Sequence, residues 1–408
     1  MMSTSQRRRP STIDAREQRR HRPDYWLVML ATALIAIGLV VVYAISPGLD
    51  KNGAGGGYYV SKQFMAIGLS AVAFLAVANT PVQWWRKVEK PMIIAAAVAA
   101  VAVRLFGQRV NGAYRWIQFG GMSFQAVELI KFALLIWLAG FLSDRIRRGA
   151  LNNYQQTLKP LMIVLGAIGA VVAVFQSDLG STGVMVAMMA AMVFVAGMPL
   201  KRVGMIAGIV VIGTVLAVAS SGYRRDRLLT YLHPERDCQN AGYQACQALI
   251  AVGSGGIAGL GLARSVQAYG YLPEAANDSI FAIIAEKFGF IGVTLLLAIY
   301  AAFFARLKAI AERAPDDYSR LIVMGILAWF STQALINIGA MIGLLPIKGI
   351  TLPFISYGGT SLLFVAGALG VAFNISRYTT FVPQTNQPPN KEGASRERFA
   401  TTAVRYRT

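Results

Sequence analysis

Asp278 lies in Tyr271-Leu-Pro-Glu-Ala-Ala-Asn-Asp-Ser-Ile-Phe281, directly before a long apolar run. A carboxylate at such a boundary is partly desolvated, gains basicity, and can take a proton from an attacking hydroxyl. It can equally cap the helix that follows, and spacing alone leaves both roles open. Glu128 and Lys131 stand three apart inside another apolar run. They share a helix face and can pair, either to join helices or to wall a polar cavity. Asp178, in Gln176-Ser-Asp-Leu-Gly180, sits at a tight turn between two apolar runs and reads as a helix cap. Leu344-Leu-Pro-Ile-Lys-Gly-Ile-Thr-Leu-Pro-Phe-Ile-Ser-Tyr-Gly-Gly-Thr-Ser361 carries two prolines and a glycine pair. A non-helical path at membrane level survives only when buried or lining a cavity. Lys348, Ser356, Tyr357 and Thr360 there offer groups for sugar hydroxyls or phosphates, and a purely structural loop fits them equally well.

Two further clusters carry weaker signals. Gly253-Ser-Gly-Gly-Ile-Ala-Gly-Leu-Gly261 permits close backbone approach, but no Lys-Ser/Thr follows, so it is not a nucleotide loop. Cys238 and Cys246 are close in sequence and fall in one outer segment, where a disulfide is chemically allowed. With only His233 nearby they are too few for a zinc site.

The elements that must position these groups are apolar. Of 408 residues, 55% are hydrophobic and 14% charged, and the mean hydropathy is +0.51. A soluble domain carries about 25% charged residues, so the composition argues against an ordinary cytosolic enzyme. Long uninterrupted runs, rather than alternation, argue against a membrane β-barrel. Runs near 26–46, 62–80, 91–106, 125–143, 160–177, 179–198, 203–221, 280–305, 321–345 and 359–376 predict an all-α polytopic membrane protein of about ten spans. The net charge of +20 concentrates in the two tails and in the loops between alternate runs. That is the positive-inside pattern, which places both termini in the cytoplasm and needs no nucleic-acid partner.

The expected organisation is therefore a basic tail over 1–25, a membrane domain over 26–380, and a disordered tail over 381–408. The outer segments are 107–124, a large loop of about 222–279 between helices 7 and 8, and 346–358. Ala245 to Val252 is apolar but too short to span, which suits a re-entrant or interfacial helix.

Leu352-Pro-Phe-Ile-Ser-Tyr-Gly-Gly-Thr-Ser361 closely resembles the signature of the SEDS family (shape, elongation, division and sporulation), to which FtsW, RodA and SpoVE belong. The resemblance runs from about Tyr25 to Thr380. It takes in Asn111-Gly-Ala-Tyr-Arg-Trp-Ile117, the Glu128/Lys131 pair, Gln176 to Gly180, Tyr243-Gln-Ala-Cys-Gln247 and Tyr271-Leu-Pro-Glu274. Lys348-Gly-Ile-Thr-Leu-Pro353 and Ala334-Leu-Ile-Asn-Ile-Gly339 are more similar to FtsW than to RodA. The chain departs from the family pattern at Ala126-Val127, Ser177, Ala276 and Lys287.

The resemblance implies a peptidoglycan glycosyltransferase that polymerises lipid II on the outer face of the plasma membrane, for septal wall synthesis in division. Asp278 becomes the leading general base. Arg115, Lys131 and Lys348 become electrostatic supports for the pyrophosphate leaving group, with Glu128 holding Lys131. A divalent cation, Mg2+ or Mn2+, is the cofactor such chemistry admits. The implied partners are lipid II, a class B penicillin-binding protein transpeptidase and other divisome membrane proteins. A lipid II flippase, a RodA-like elongation polymerase and a division scaffold without activity are the alternatives.

Overall fold

In hydrocarbon every backbone N–H and C=O must be satisfied within the protein, so apolar runs of this length fold as helices. The computed structural model describes residues 19–20, 22–49, 57–110, 113–119, 122–176, 178–219, 222, 231, 238–240 and 242–379. The expected tails therefore lie mostly outside the described residues, as do Asn111, Gly112 and most of 223–237.

The helices are α1 (Tyr25–Leu49), α2 (Gly57–Asn79), α3 (Val82–Phe106), α4 (Ala126–Arg147) and α5 (Lys159–Ile168). Wider π-type turns, Tyr154–Leu158 and Gly169–Phe175, extend α5 at both ends. Then follow α6 (Leu179–Val195), α7 (Leu200–Ala219), α8 (Tyr243–Ser254), α9 (Ile280–Glu312), α10 (Asp317–Met341) and α11 (Gly359–Ile375). Six helical stretches among the described residues are long and apolar enough to cross a membrane, and α6 and α11 are shorter apolar helices. Large apolar side chains such as Val72, Leu295 and Leu335 are exposed on them. Such a surface suits lipid, not water. The protein is a multi-pass membrane protein.

The expectation of an all-α chain is corrected at 107–124. Strands β1 (Gln108–Val110), β2 (Ala113–Phe119) and β3 (Met122–Gln125) form an antiparallel sheet in the order β1-β2-β3. Ile117 pairs with Phe124 and Gln118 with Ser123. The cause is local: Tyr114-Arg-Trp-Ile-Gln-Phe119 is rich in aromatic and β-branched residues, which favour a pleated surface. Helix α3 also starts at Val82 rather than near 91, because its first turns carry Arg86, Lys87, Glu89 and Lys90, which hide the helix from a count of apolar runs.

Helix α10 is central, packing on α4, α6, α9 and α11 with Trp329 and Phe330 fully buried. At one end of the bundle, Asp24 caps α1 through Leu27 N (3.2 Å) and accepts from Arg306 Nε of α9 (2.9 Å). The Asp24 N–H donates to Ser376 Oγ (3.0 Å), just after α11.

Two features shape the opposite half. The 346–358 loop dips into the bundle far enough to reach the middle of α1, where a Cβ on Gly38 would lie 2.3 Å from Ile355 O. Helix α9 is interrupted at Gly289, whose φ of 61° and ψ of −163° lie outside the range of side-chain-bearing residues. The glycine segment fills the break. Leu260 N donates to Glu286 O (2.9 Å), Gly261 N to Lys287 O (3.0 Å), Phe290 N to Gly256 O (2.9 Å) and Ile291 N to Ile257 O (3.1 Å). The backbone groups freed by the kink are thus paired again.

Candidate active site

The site grows from two loops stitched together above α10. Ser356 Oγ donates to Asn277 O (2.6 Å) and accepts from Leu352 N (2.7 Å), and Tyr357 N donates to Ala276 O (2.8 Å). Asn337 Nδ2 reaches both Asp278 O and Ile350 O at 2.7 Å. One turn below, Gln333 Nε2 donates to Thr351 O (2.9 Å). Every one of these bonds meets a backbone group of a loop that has no ladder of its own. Each loop also holds one non-glycine residue in the left-handed region, Glu274 (φ 52°) and Phe354 (φ 67°), a conformation kept only when the surroundings enforce it.

Asp278 sits where the loops meet, only 6% exposed. The N-cap of α9 is Ser279, so Asp278 stands one residue ahead of the cap. Its carboxyl is pushed up to about 7, first by burial and then by the charge of Glu274; hydrogen bonds from its own backbone, Gln244 and Ser279 pull the other way. Gln244 Nε2 lies 3.5 Å from Asp278 Oδ1 and 3.0 Å from Ser279 Oγ. A buried carboxylate that titrates near neutrality is suited to exchanging protons.

Gln244 comes from α8, whose start is tied by the Cys238–Cys246 disulfide, with the two Cα atoms 5.7 Å apart. Closing so short a loop stabilises the fold by about 2–3 kcal/mol in the chain-entropy account. Mass spectrometry of non-reduced peptides is expected to recover the two cysteines linked. Two freely alkylated thiols in protein isolated without reductant would refute the bridge.

Glu128 and Lys131 form a buried ion pair, Lys131 Nζ to Glu128 Oε1 at 2.8 Å. Lys131 Nζ also donates to Gln333 Oε1 (3.0 Å) and lies 5.0 Å from the centroid of the Trp329 ring. The pair therefore joins α4 to α10. Through Gln333 it supports Thr351, whose Oγ1 is 3.0 Å from Ser361 Oγ.

The other expected site residues divide by what their groups already do. Asp178 caps α6, accepting from Ser181 N (2.9 Å) and Ser181 Oγ (2.8 Å). The Ser356 hydroxyl is engaged twice with backbone and shapes the loop, and Thr360 Oγ1 donates to Ser123 O, fastening the first turn of α11 to β3. Tyr357 is half-buried, its ring 5.8 Å from that of Tyr59. The stem of Lys348 lies against Gly180, two residues from Asp178. Arg115 occupies a position in β2; its side chain lies outside the described residues.

Glu286, a second carboxylate in this region, accepts from Ser265 Oγ, from Val266 N (2.8 Å) and from Gln267 N (3.0 Å). It is a clamp for that turn. Beside it Lys287 donates to Leu262 O (2.7 Å), which gives the departure from the family's usual acidic residue a local role. Sequence reasoning missed Gln244, Gln333 and Asn337 as supports. The signal present for the last two was a pair of amides four residues apart in an apolar helix.

Comparison with known proteins follows this geometry. The family described as "Cell cycle protein", comprising FtsW, RodA and SpoVE, matches residues 25–381. Stage V sporulation protein E of Bacillus subtilis is 36% identical over 363 residues, covering 88% of this chain and 98% of its own. A probable peptidoglycan glycosyltransferase FtsW from Idiomarina loihiensis is also 36% identical, covering 86% of each chain. Among solved structures, a peptidoglycan synthase complex that coordinates polymerization and crosslinking contains a chain at 27% identity and a TM-score of 0.72, covering 87% of this chain and 98% of that one. The rod shape determining protein RodA of Thermus thermophilus aligns at 26% identity and a TM-score of 0.65, covering 87% and 97%. With match and fold running over nearly all the described residues, this chain belongs to the FtsW, RodA and SpoVE family of cell cycle proteins.

Proposed function

We propose that the protein is a peptidoglycan glycosyltransferase that polymerises lipid II at the outer face of the plasma membrane, with Asp278 as general base. The observation that carries this reading is a buried carboxyl with its pKa raised to about 7, held where two outer loops meet. The relatives named as peptidoglycan glycosyltransferases support it.

In the step, the acceptor sugar's C4 hydroxyl attacks C1 of the donor sugar. A C1–O bond forms to the acceptor, the C1–O bond to the lipid pyrophosphate breaks, and the pyrophosphate leaves with the electron pair. Asp278 takes the hydroxyl proton. An α-linked phosphate becomes a β-linked glycan, so one displacement with inversion suffices and no sugar–enzyme bond is needed.

Among the described residues no group of three or more His, Cys, Asp or Glu gathers that could hold a metal ion. A Mg2+ or Mn2+ would therefore be carried mainly by the substrate's phosphates, a common habit of Mg2+, and no step above runs through it. We read ten spans with both termini in the cytoplasm, from the Lys/Arg asymmetry of the loops, which would put Asp278 on the outer side. We assign the chain to septal synthesis, with a class B penicillin-binding protein as transpeptidase partner among the divisome membrane proteins.

Purified protein given lipid II is expected to make glycan strands, with a rate that falls as pH drops through about 7 because the base must be ionised. Transfer of lipid II between leaflets without strand formation would instead establish a flippase. A flat profile from pH 6 to 8 would remove Asp278 as the titrating base.

A further inference from the structure

We propose that the N-terminus of α11 is the seat of the substrate's pyrophosphate, with Gln63 of α2 as its floor; the identity of the lipid carrying that group rests on the function above. Helix α11 begins at Gly359, its N-cap is Gly358, and no side chain caps it. The first N–H groups of a helix lack intrahelical acceptors and sit at the positive end of its dipole, where anions bind.

Gln63 gives the second, independent fact. It is 1% exposed, and neither its Nε2 nor its Oε1 has a hydrogen-bond partner. Buried amides are rarely left so, because the lost contacts with water go uncompensated. Its direction follows from its neighbours on one face of α2. Tyr59, four residues earlier, meets Tyr357, and Ala66, three later, has its Cβ 3.9 Å from the place a Cβ on Gly359 would take. Gln63, between them, faces the chain from Tyr357 to Gly359.

Gly359 itself is exposed, so a ligand can reach the helix end from outside while Gln63 lies beneath it. Backbone N–H groups and an amide make a wall rich in donors. A pyrophosphate offers only acceptors. Thr360 Oγ1 is already donated to Ser123 O, so the site reads phosphate through the backbone rather than through that hydroxyl.

The test is thermal melting of the full-length protein in detergent with undecaprenyl pyrophosphate, inorganic pyrophosphate or phosphatidylglycerol. Gln63→Leu removes the amide at similar size. Gly359→Pro removes one first-turn N–H where helices accept proline, after a residue whose extended backbone (Gly358 φ 169°) suits it. The parent is expected to be stabilised by both pyrophosphates and far less by phosphatidylglycerol. Each variant should need about tenfold more ligand for the same shift, as expected for a lost hydrogen bond to a charged group. Unliganded Gln63→Leu should melt at or above the parent, the opposite of a residue that merely holds helices together.

Equal ligand shifts in Gln63→Leu and parent, or no shift in the parent, would overturn the site. An equal response to phosphatidylglycerol would reduce it to a lipid headgroup contact and overturn the assignment. If Gly359→Pro does not fold, Gln63→Met joins Gln63→Leu in carrying the test. Binding without glycan synthesis by the parent would overturn the polymerase reading while leaving this site standing.

Discussion

Asp278→Asn is expected to lower glycan polymerisation by roughly two to four orders of magnitude, the usual span for loss of a general base. The asparagine keeps the size of the side chain and the contact with Gln244, but it cannot accept the acceptor's proton. Asparagine's side-chain oxygen can keep the bond from the Ser279 backbone, and the backbone carbonyl that accepts from Asn337 is present in either residue, so helix initiation should change little. The variant should therefore insert, melt near the parent temperature and fail in chemistry. It loses a buried group that is costly to ionise, so any change in stability at neutral pH should be small or favourable. The measurement is strand formation from lipid II by purified parent and variant, beside a thermal melt of each. Near-parental polymerisation would remove Asp278 as base. Glu286 is a poor substitute, because its carboxylate is already held by Ser265, Val266 and Gln267.

The second large effect concerns folding. Lys131→Met strips the ammonium from a pair in which Glu128 is 3% exposed and its Oε2 has no hydrogen-bond partner. A carboxylate left alone in such surroundings costs about 3–5 kcal/mol. The single variant should accumulate poorly or melt well below the parent. Adding Glu128→Gln should restore most of the loss, since two neutral groups replace an uncompensated charge. A Lys131→Met protein that melts with the parent would show that the pair contributes little to the join between α4 and α10. A double variant that is stable but inactive would return the pair to the chemistry.

Much of the scaffold could be read in advance because lipid makes each helix state its own case. Every apolar run coincides with a helix, and the short run at 245–252 is α8. Asp178 could be placed as a cap from a single tight turn, since capping involves residues three apart. What the sequence concealed is tertiary. Lys131 meets Gln333 across 202 positions and Asn337 meets Asp278 across 59, and no local spacing announces such partners. The sheet at 108–125 was hidden by length: three strands of three to seven residues carry little periodicity beside helices of twenty. Asp278 itself was ambiguous from spacing. Ser279 holds the N-cap position without a side-chain bond, and Asp278 stands one residue before it.

The interruption of α9 at Gly289 has a mechanical consequence. The stub from Ile280 to Phe288, which follows Asp278, is not continuous with the rest of its helix; its carbonyls at Glu286 and Lys287 are gripped by Leu260 and Gly261. The same glycine segment also accepts from Phe290 N and Ile291 N beyond the break, so it splints Gly289 from both sides. A Cβ at Gly259 would lie 2.2 Å from Lys287 O, so the splint has no slack at that point. The kink is thereby a fixed step rather than a hinge, and the angle at which the stub presents Asp278 is set by the backbone of the glycine segment.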